Sequence, residues 1–213
     1  MVRWSIGLAE VALTGGLPHS RITMKSLVLA SSSPRRLALL AQIGVVPSRV
    51  TSPDIDESSL KGELPRVYAL RLAEAKARAV SRTDGEVVLA GDTTVAVGRR
   101  ILPPADSKAV QRTLLGLLSG RRQQVISALA VIDADGTLRT RVSISTLTFK
   151  RLTSAEIEAY VACEEGLGKA GGYAIQGRAA AFIRALSGSY SGVVGLPLFE
   201  TAALLRVSGI EVA

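Results

Sequence analysis

Apolar positions along the chain fall into two rhythms, one suited to buried strands and one to helices. Ser26 to Ala30 is a short apolar run that reads as a buried strand. Ser33-Pro34 then signals a helix start, with the serine as N-cap and the proline at the first helical position. Leu37, Leu40, Ala41 and Ile43 supply the apolar stripe, and Gly44 is a stop. The unit is strand, tight turn, helix. Val45 to Glu63 reads as loop, with Pro47, Pro53 and Gly62 around the acidic cluster Asp54-Ile55-Asp56-Glu57. Helical spacing returns from about Pro65 to Val80, through Val67, Leu70, Ala73, Ala77 and Val80. Glu86 to Ala90 reads as a second buried strand ending at Gly91-Asp92-Thr93. Thr94 to Val97 continues extended, and Gly98 turns the chain toward Ile101.

In the second half, Asp106 reads as the cap of a helix carrying Val110, Leu114, Leu117 and Leu118, which stops at Gly120. Val125 to Ile132 and Val142 to Phe149 read as two strands of a hairpin around Asp135-Gly136. Thr153 with Glu156 forms a capping box for a helix through Ile157, Tyr160 and Val161. A glycine-rich loop, Gly166 to Gly177, leads to a strand over Ala180 to Leu186, and Leu196 to Arg206 reads as a final helix. The pattern fits an α/β domain, or two tightly joined lobes, over residues 25–213. Residues 1–24 read as a poorly structured N-terminal extension. Glu10 interrupts its apolar region, so a signal peptide is not expected, and Met24 is an alternative natural start.

Composition narrows the classes. The chain has 213 residues, 47% of them apolar, enough to bury a core and too many for disorder. No apolar run approaches the ~20 residues of a membrane span. A soluble protein with no membrane partner is expected. The net charge of +8, from 26 Lys and Arg against 18 Asp and Glu, points to an anionic partner. The cations come in scattered pairs such as Arg35-Arg36, Arg99-Arg100 and Arg121-Arg122, and aromatics are only 4%. A platform for stacking bases is therefore poorly supplied, which favours an anionic small molecule over a stable nucleic-acid complex. One cysteine, Cys163, and one histidine, His19, make neither an intramolecular disulfide nor a His/Cys zinc site. A metal here would be a hard divalent cation held by carboxylates and substrate, in a reducing, cytoplasmic setting.

Arg35 and Arg36 occupy the first helical turn, where the dipole and unpaired amide groups disfavour cations. An anion between them and those amides reverses the penalty. With the hydroxyls of Ser31, Ser32 and Ser33, the segment reads as a phosphate cradle; a solvated basic face beside a capped helix is the plain alternative. Asp92 follows the apolar run Val-Val-Leu-Ala-Gly and is expected at a strand end, the usual edge for ligand sites in α/β sheets. It could orient a divalent ion or take a proton from an attacking water. Glu57, with Asp54 and Asp56, adds a metal ligand only where its loop folds over the cleft. Lys76, among Arg71, Glu74 and Arg78, reads as part of a surface charge network. Gln176 carries a paired donor and acceptor that suit a base edge. The chain has neither a Gly-x-x-x-x-Gly-Lys-Ser/Thr loop nor a Gly-x-Gly-x-x-Gly after a strand, and covalent catalysis is unsupported.

Five ordered motifs carry a family resemblance: Leu-Ala-Ser-Ser-Ser-Pro-Arg-Arg-Leu-Ala-Leu-Leu (29–40), Gly-Asp-Thr-Thr-Val (91–95), Leu-Leu-Ser-Gly-Arg (117–121), Gly-Lys-Ala-Gly-Gly-Tyr-Ala-Ile-Gln-Gly (168–177) and Gly-Ser-Tyr-Ser-Gly-Val-Val-Gly-Leu-Pro-Leu (188–198). From about Ser26 to Arg206 the chain resembles the Maf family of nucleoside triphosphate pyrophosphatases, historically linked to inhibition of septum formation. The resemblance implies a mixed twisted sheet with flanking helices and two lobes around a cleft, similar to the inosine triphosphatase-like fold. It implies hydrolysis between the α and β phosphates with a divalent cation, usually Mg²⁺, with Mn²⁺ or Co²⁺ as alternatives. In that resemblance Asp92 matches the proton acceptor, and Ser31, Arg35 and Arg36 match the phosphate-binding element. Glu57 and Lys76 match further charged motif positions, with Glu57 and Asp92 around the metal. Arg35, Thr93 and Gln176 match positions that set base preference and look like the dTTP/UTP branch rather than the 7-methyl-GTP branch. The family also suggests a homodimer. One departure stands out: Arg-Ile-Leu-Pro-Pro-Ala-Asp (100–106) lacks a lysine usual in the family there. That motivates a second expectation, a nucleotide-binding regulator of cell division with weak or no catalysis, unless Arg99, Arg100 or Lys108 reaches in.

Overall fold

Ser26–Ala30 forms strand β1, with all but its first residue buried. A computed structural model describes residues 25–213, so the expected extension lies outside the described residues. Helix α1, Pro34–Gln42, starts at Pro34 with Ser33 at the N-cap, and Gly44 follows it at φ 70°, a left-handed turn that suits glycine. The stretch expected to be loop contains a short strand, β2 (Arg49–Thr51), which pairs in parallel with β1. Its three residues are too few to carry a readable alternation.

Helix α2, Pro65–Arg78, lies on the sheet through Ala69, Leu72, Ala73, Lys76 and Ala77. The expected stripe included Val67, but Val67 is exposed. Small alanines win the sheet-facing side because they meet Val28, Ala30, Val88, Ala90, Ala128 and Ala130 at close range.

Strand β3 runs unbroken over Glu86–Val97 and turns at Gly98 into β4, Arg100–Leu102. Helix α3, Lys108–Leu118, is capped by the Ser107 hydroxyl accepting from Val110 N, not by Asp106 as expected. Both residues suit the role, and backbone position decides. Strands β5 (Arg122–Ile132) and β6 (Leu138–Phe149) form the hairpin expected around Asp135-Gly136. Helix α4, Ser154–Ala162, carries the complete Thr153–Glu156 capping box. The strand expected from Ala180 begins as a 3₁₀ turn over Arg178–Phe182, and only Ile183–Ser187 forms β7. Two helices close the chain, α5 (Tyr190–Val194) and α6 (Leu198–Val207).

The seven strands make one mixed sheet in the order β2-β1-β3-β5-β6-β7, with β4 on the free edge of β3. Pairing is parallel among β2, β1 and β3 and antiparallel elsewhere. One core cluster gathers at the β1 end under α1 and α6, through Leu29, Leu40, Leu89 and Leu205. Another gathers at the far end under α3 and α4, through Leu115, Leu118, Phe149 and Tyr160. The expected lobes are two ends of a single sheet. Among the described residues, no helix is long and apolar enough to cross a membrane.

Candidate active site

Two strands stop short of each other along the same edge of β3. The last pair of β1 is Ala30 with Ala90, and the pair of β4 nearest the centre is Leu102 with Val95. Gly91, Asp92, Thr93 and Thr94 thus have no strand beside them on that edge, while β5 pairs them continuously on the other. Asp92 is therefore mid-strand, contrary to the expectation of a strand end. The ligand-accessible edge exists all the same, because it is the neighbouring β1 that ends.

The pleat divides this segment between two faces. Asp92 and Thr94 point toward α2, and Asp92 is 6% exposed. Its Oδ1 accepts from Lys76 Nζ at 2.9 Å and its Oδ2 from the Thr94 hydroxyl at 2.9 Å. The same ammonium lies 3.0 Å from Glu57 Oε1, so Lys76 bridges two carboxylates. Lys76 is 7% exposed, which corrects its reading as a surface charge. The signal was its place three residues after Ala73 on the alanine stripe.

Glu57 comes within reach because its loop is pinned to α2. The Tyr68 hydroxyl donates to Glu57 O at 2.8 Å, and Arg71 Nη2 donates to Ser58 O at 3.0 Å. Arg71 also forks onto both oxygens of Glu63 at 2.7 Å. Burial holds the Tyr68 proton more tightly than in an ordinary tyrosine, and the negative charges of Asp92 and Glu57 add to it.

On the opposite face, Arg36 donates from Nε to Gly195 O at 2.9 Å and from Nη1 to the Ser31 hydroxyl oxygen at 3.0 Å. A longer contact of 3.4 Å joins its Nη2 to Thr93 Oγ1. The Arg36 guanidinium lies across the strand at Gly91, where a Cβ would be in van der Waals contact with its Nε at 3.5 Å. Burial lowers its proton affinity, nearby Asp92 opposes that shift, and Arg35 reinforces it. Arg35 donates to Val194 O at 3.3 Å. The Ser33 hydroxyl makes no capping bond to its own helix, and the residue lines a cavity.

That cavity, about 180 Å³, is also lined by Arg35, Arg36, Lys169 and Gln176. A second, about 540 Å³, is lined by Asp56, Glu57, Ser58 and Tyr68. Asp92, Thr93, Pro104 and Ala170 line both. The cleft thus has a basic half and an acidic half that meet at the gap in the sheet. Arg35, Arg36, Glu57, Asp92, Thr93 and Gln176 line this cleft, and Ser31 and Lys76 bond to residues that do, whereas Ser32 and Asp54 line neither cavity.

Two residues of the cleft were not expected from the sequence. Thr94 has the strand-face signal of lying two positions from Asp92, and Lys169 lies within the glycine-rich motif itself. Where a lysine was missing, Pro104 forms part of the wall. Arg99 and Arg100 are exposed and line neither cavity, and Lys108 pairs with Glu164 at 2.7 Å. Among the described residues no group of three or more His, Cys, Asp or Glu side chains could hold a metal. Asp92 and Glu57 form a pair of carboxylates, a set that suits Mg²⁺ when phosphate oxygens and water complete its shell.

The chain matches a family model described as Maf-like protein over residues 26–208. It is 63% identical over 188 residues to a dTTP/UTP pyrophosphatase of Sphingopyxis alaskensis, covering 88% of this chain and 98% of that one. Proteins of the same description from Novosphingobium aromaticivorans and Granulibacter bethesdensis are 60% and 53% identical, covering 87% and 92% of this chain and 93% and 99% of theirs. A solved structure described as a nucleoside-triphosphatase, dITP/XTP pyrophosphatase, from Mycobacterium abscessus is 18% identical, with a TM-score of 0.41 over 84% of this chain and 93% of that one. A likeness that loose bears on neither substrate nor mechanism. The family match and the relatives agree over nearly all of the described residues, and the chain belongs to the Maf-like protein family.

Proposed function

We propose that this chain is a nucleoside triphosphate pyrophosphatase that hydrolyses dTTP and UTP to the monophosphate and pyrophosphate. The observation that carries the reading is the divided cleft, with cations on one side, carboxylates on the other and Asp92 between them. The names of relatives 53–63% identical support the substrate class. Arg35, Arg36 and the N-terminal amides of α1 grip phosphate oxygens. Asp92 takes the proton of the attacking water. Lys76 and Thr94 hold its carboxylate in place through one hydrogen bond to each oxygen. No side-chain nucleophile is needed, because positioning and charge stabilisation supply most of the rate in phosphoryl chemistry.

Asp92 and Glu57 would hold a divalent cation, Mg²⁺ or else Mn²⁺ or Co²⁺. When bound it neutralises charge building on the phosphates and lowers the pKa of a bound water. Arg35, Thr93 and Gln176 face the same basic half and are the residues that would select the base. The reading carries with it a cytoplasmic enzyme, with a homodimer as its expected assembly and no stable nucleic-acid complex. Pyrophosphate release measured across dTTP, UTP, CTP and GTP, with and without Mg²⁺, tests it. Metal-dependent turnover highest with dTTP and UTP is expected. Nucleotide-dependent thermal stabilisation without any product would replace it with the regulator reading.

A further inference from the structure

We propose that Lys169 is a phosphate-binding residue of this cleft, gripping the substrate's polyphosphate from the glycine-rich loop that lines the cavity together with Arg35 and Arg36. The identity of the anion rests on the pyrophosphatase reading above; the grip itself rests on the geometry. Lys169 lines the basic cavity together with both arginines. It forms no ion pair among the described residues, and Arg35 forms none either. The nearby acid, Glu165, is occupied: its Oε2 accepts from Arg178 N at 2.7 Å.

The lysine is held there by its own main chain. Lys169 N donates to Gly166 O at 3.2 Å, while Lys169 O accepts from Ala105 N at 3.2 Å and from Gly172 N at 2.9 Å. Gly168 N donates to Ala105 O at 2.8 Å and Gly171 N to Pro103 O at 3.2 Å, which ties the loop to the segment carrying Pro104. Gly168 and Gly171 take φ of 68° and 72°, values that side-chain-bearing residues rarely adopt. A loop held this tightly places one flexible cation in the cavity that both arginines line, in ion-pair contact with no carboxylate among the described residues.

Arg35 and Lys169 carry like charges into the same cavity and repel each other. Burial and the charge of Arg35 both lower the proton affinity of Lys169, and only Glu165 opposes them. A polyanion entering the cavity removes that repulsion and bridges the loop to the N-terminus of α1. The cation that Pro104 cannot supply then comes from a neighbouring loop.

The test compares the full chain with Lys169→Met and Lys169→Arg. Calorimetric affinity for inorganic tripolyphosphate, steady-state kinetics with dTTP, and thermal melting are measured for each. Lys169→Met is expected to weaken tripolyphosphate binding by about 10- to 100-fold, with KM for dTTP rising and Tm unchanged or higher. Lys169→Arg is expected to retain most of the affinity. Unchanged tripolyphosphate affinity in Lys169→Met overturns the proposal, and so does an affinity loss accompanied by a drop in Tm that Lys169→Arg shares. Pyrophosphate release by the wild type reports on the enzyme reading separately. A wild type without turnover whose tripolyphosphate binding still depends on Lys169 rejects that reading and keeps the grip.

Discussion

Lys76 Nζ stands 2.9 Å from Asp92 Oδ1, and both side chains are more than nine-tenths buried. The partnership is unequal. Lys76 has a second carboxylate in Glu57 at 3.0 Å, whereas among the described residues the only other polar side-chain partner of Asp92 is the Thr94 hydroxyl. Lys76→Met therefore leaves a buried carboxylate without a cation and should cost about 3 kcal/mol in urea unfolding. Asp92→Asn leaves Lys76 paired with Glu57 and should cost clearly less. Equal losses in the two variants would show that the asymmetry is not energetic.

Turnover should follow the opposite ranking of cause. Asp92→Asn keeps the shape and loses the proton acceptor, so kcat for pyrophosphate release should fall by roughly 10²–10⁴. Nucleotide affinity measured without metal, carried by the arginines, should change far less. Near-normal kcat in this variant would remove Asp92 from the chemistry.

Acid should release the acidic half of the cleft. The Arg71 fork holds the Glu63 carboxyl below the ordinary range, with burial opposing and the Leu60 amide assisting. A lowered folded-state pKa gives a contribution that is complete above the unfolded value of about 4.3 and is lost as pH falls through the lower value. Amide protection factors, corrected for the intrinsic pH dependence of exchange, should therefore fall across residues 54–63 below about pH 4 in the wild type. In Glu63→Gln they should be lower already at neutral pH and lose little more in acid.

Base selection should be separable from folding. Gln176 is exposed at the basic half of the cleft, so Gln176→Ala should shift stability by less than about 0.5 kcal/mol. The kcat/KM ratio of UTP to CTP should fall about 3- to 10-fold, the size of one net hydrogen bond. An unchanged ratio would assign selection to other groups.

Local chemistry was legible in the sequence wherever one segment decides the outcome. The Thr153–Glu156 box, the Asp135-Gly136 hairpin and the Ser33-Pro34 helix start all fold as their residue types dictate. What stayed hidden depends on partners distant in the chain. Lys76 looks like a surface residue among Arg71, Glu74 and Arg78 until α2 lies against the sheet on its alanines. Asp92 looks like a strand terminus until β5 is seen to pair through it. The break in the sheet beside it depends on where β1 and β4 stop, which no run within β3 encodes. Lys169 sits in a motif whose glycines and glutamine carry the local signal, and only the closed loop shows that its side chain lines the cavity.

The uninterrupted course of β3 past the break also constrains how the molecule can move. No linker separates the halves of the cleft, because β3 runs through both and β5 pairs with it from Val88 to Ala96. Asp92 sits on that shared strand, whereas Arg35 and Lys169 reach the cavity from a helix and a loop, so any opening of the cleft would have to twist one continuous backbone.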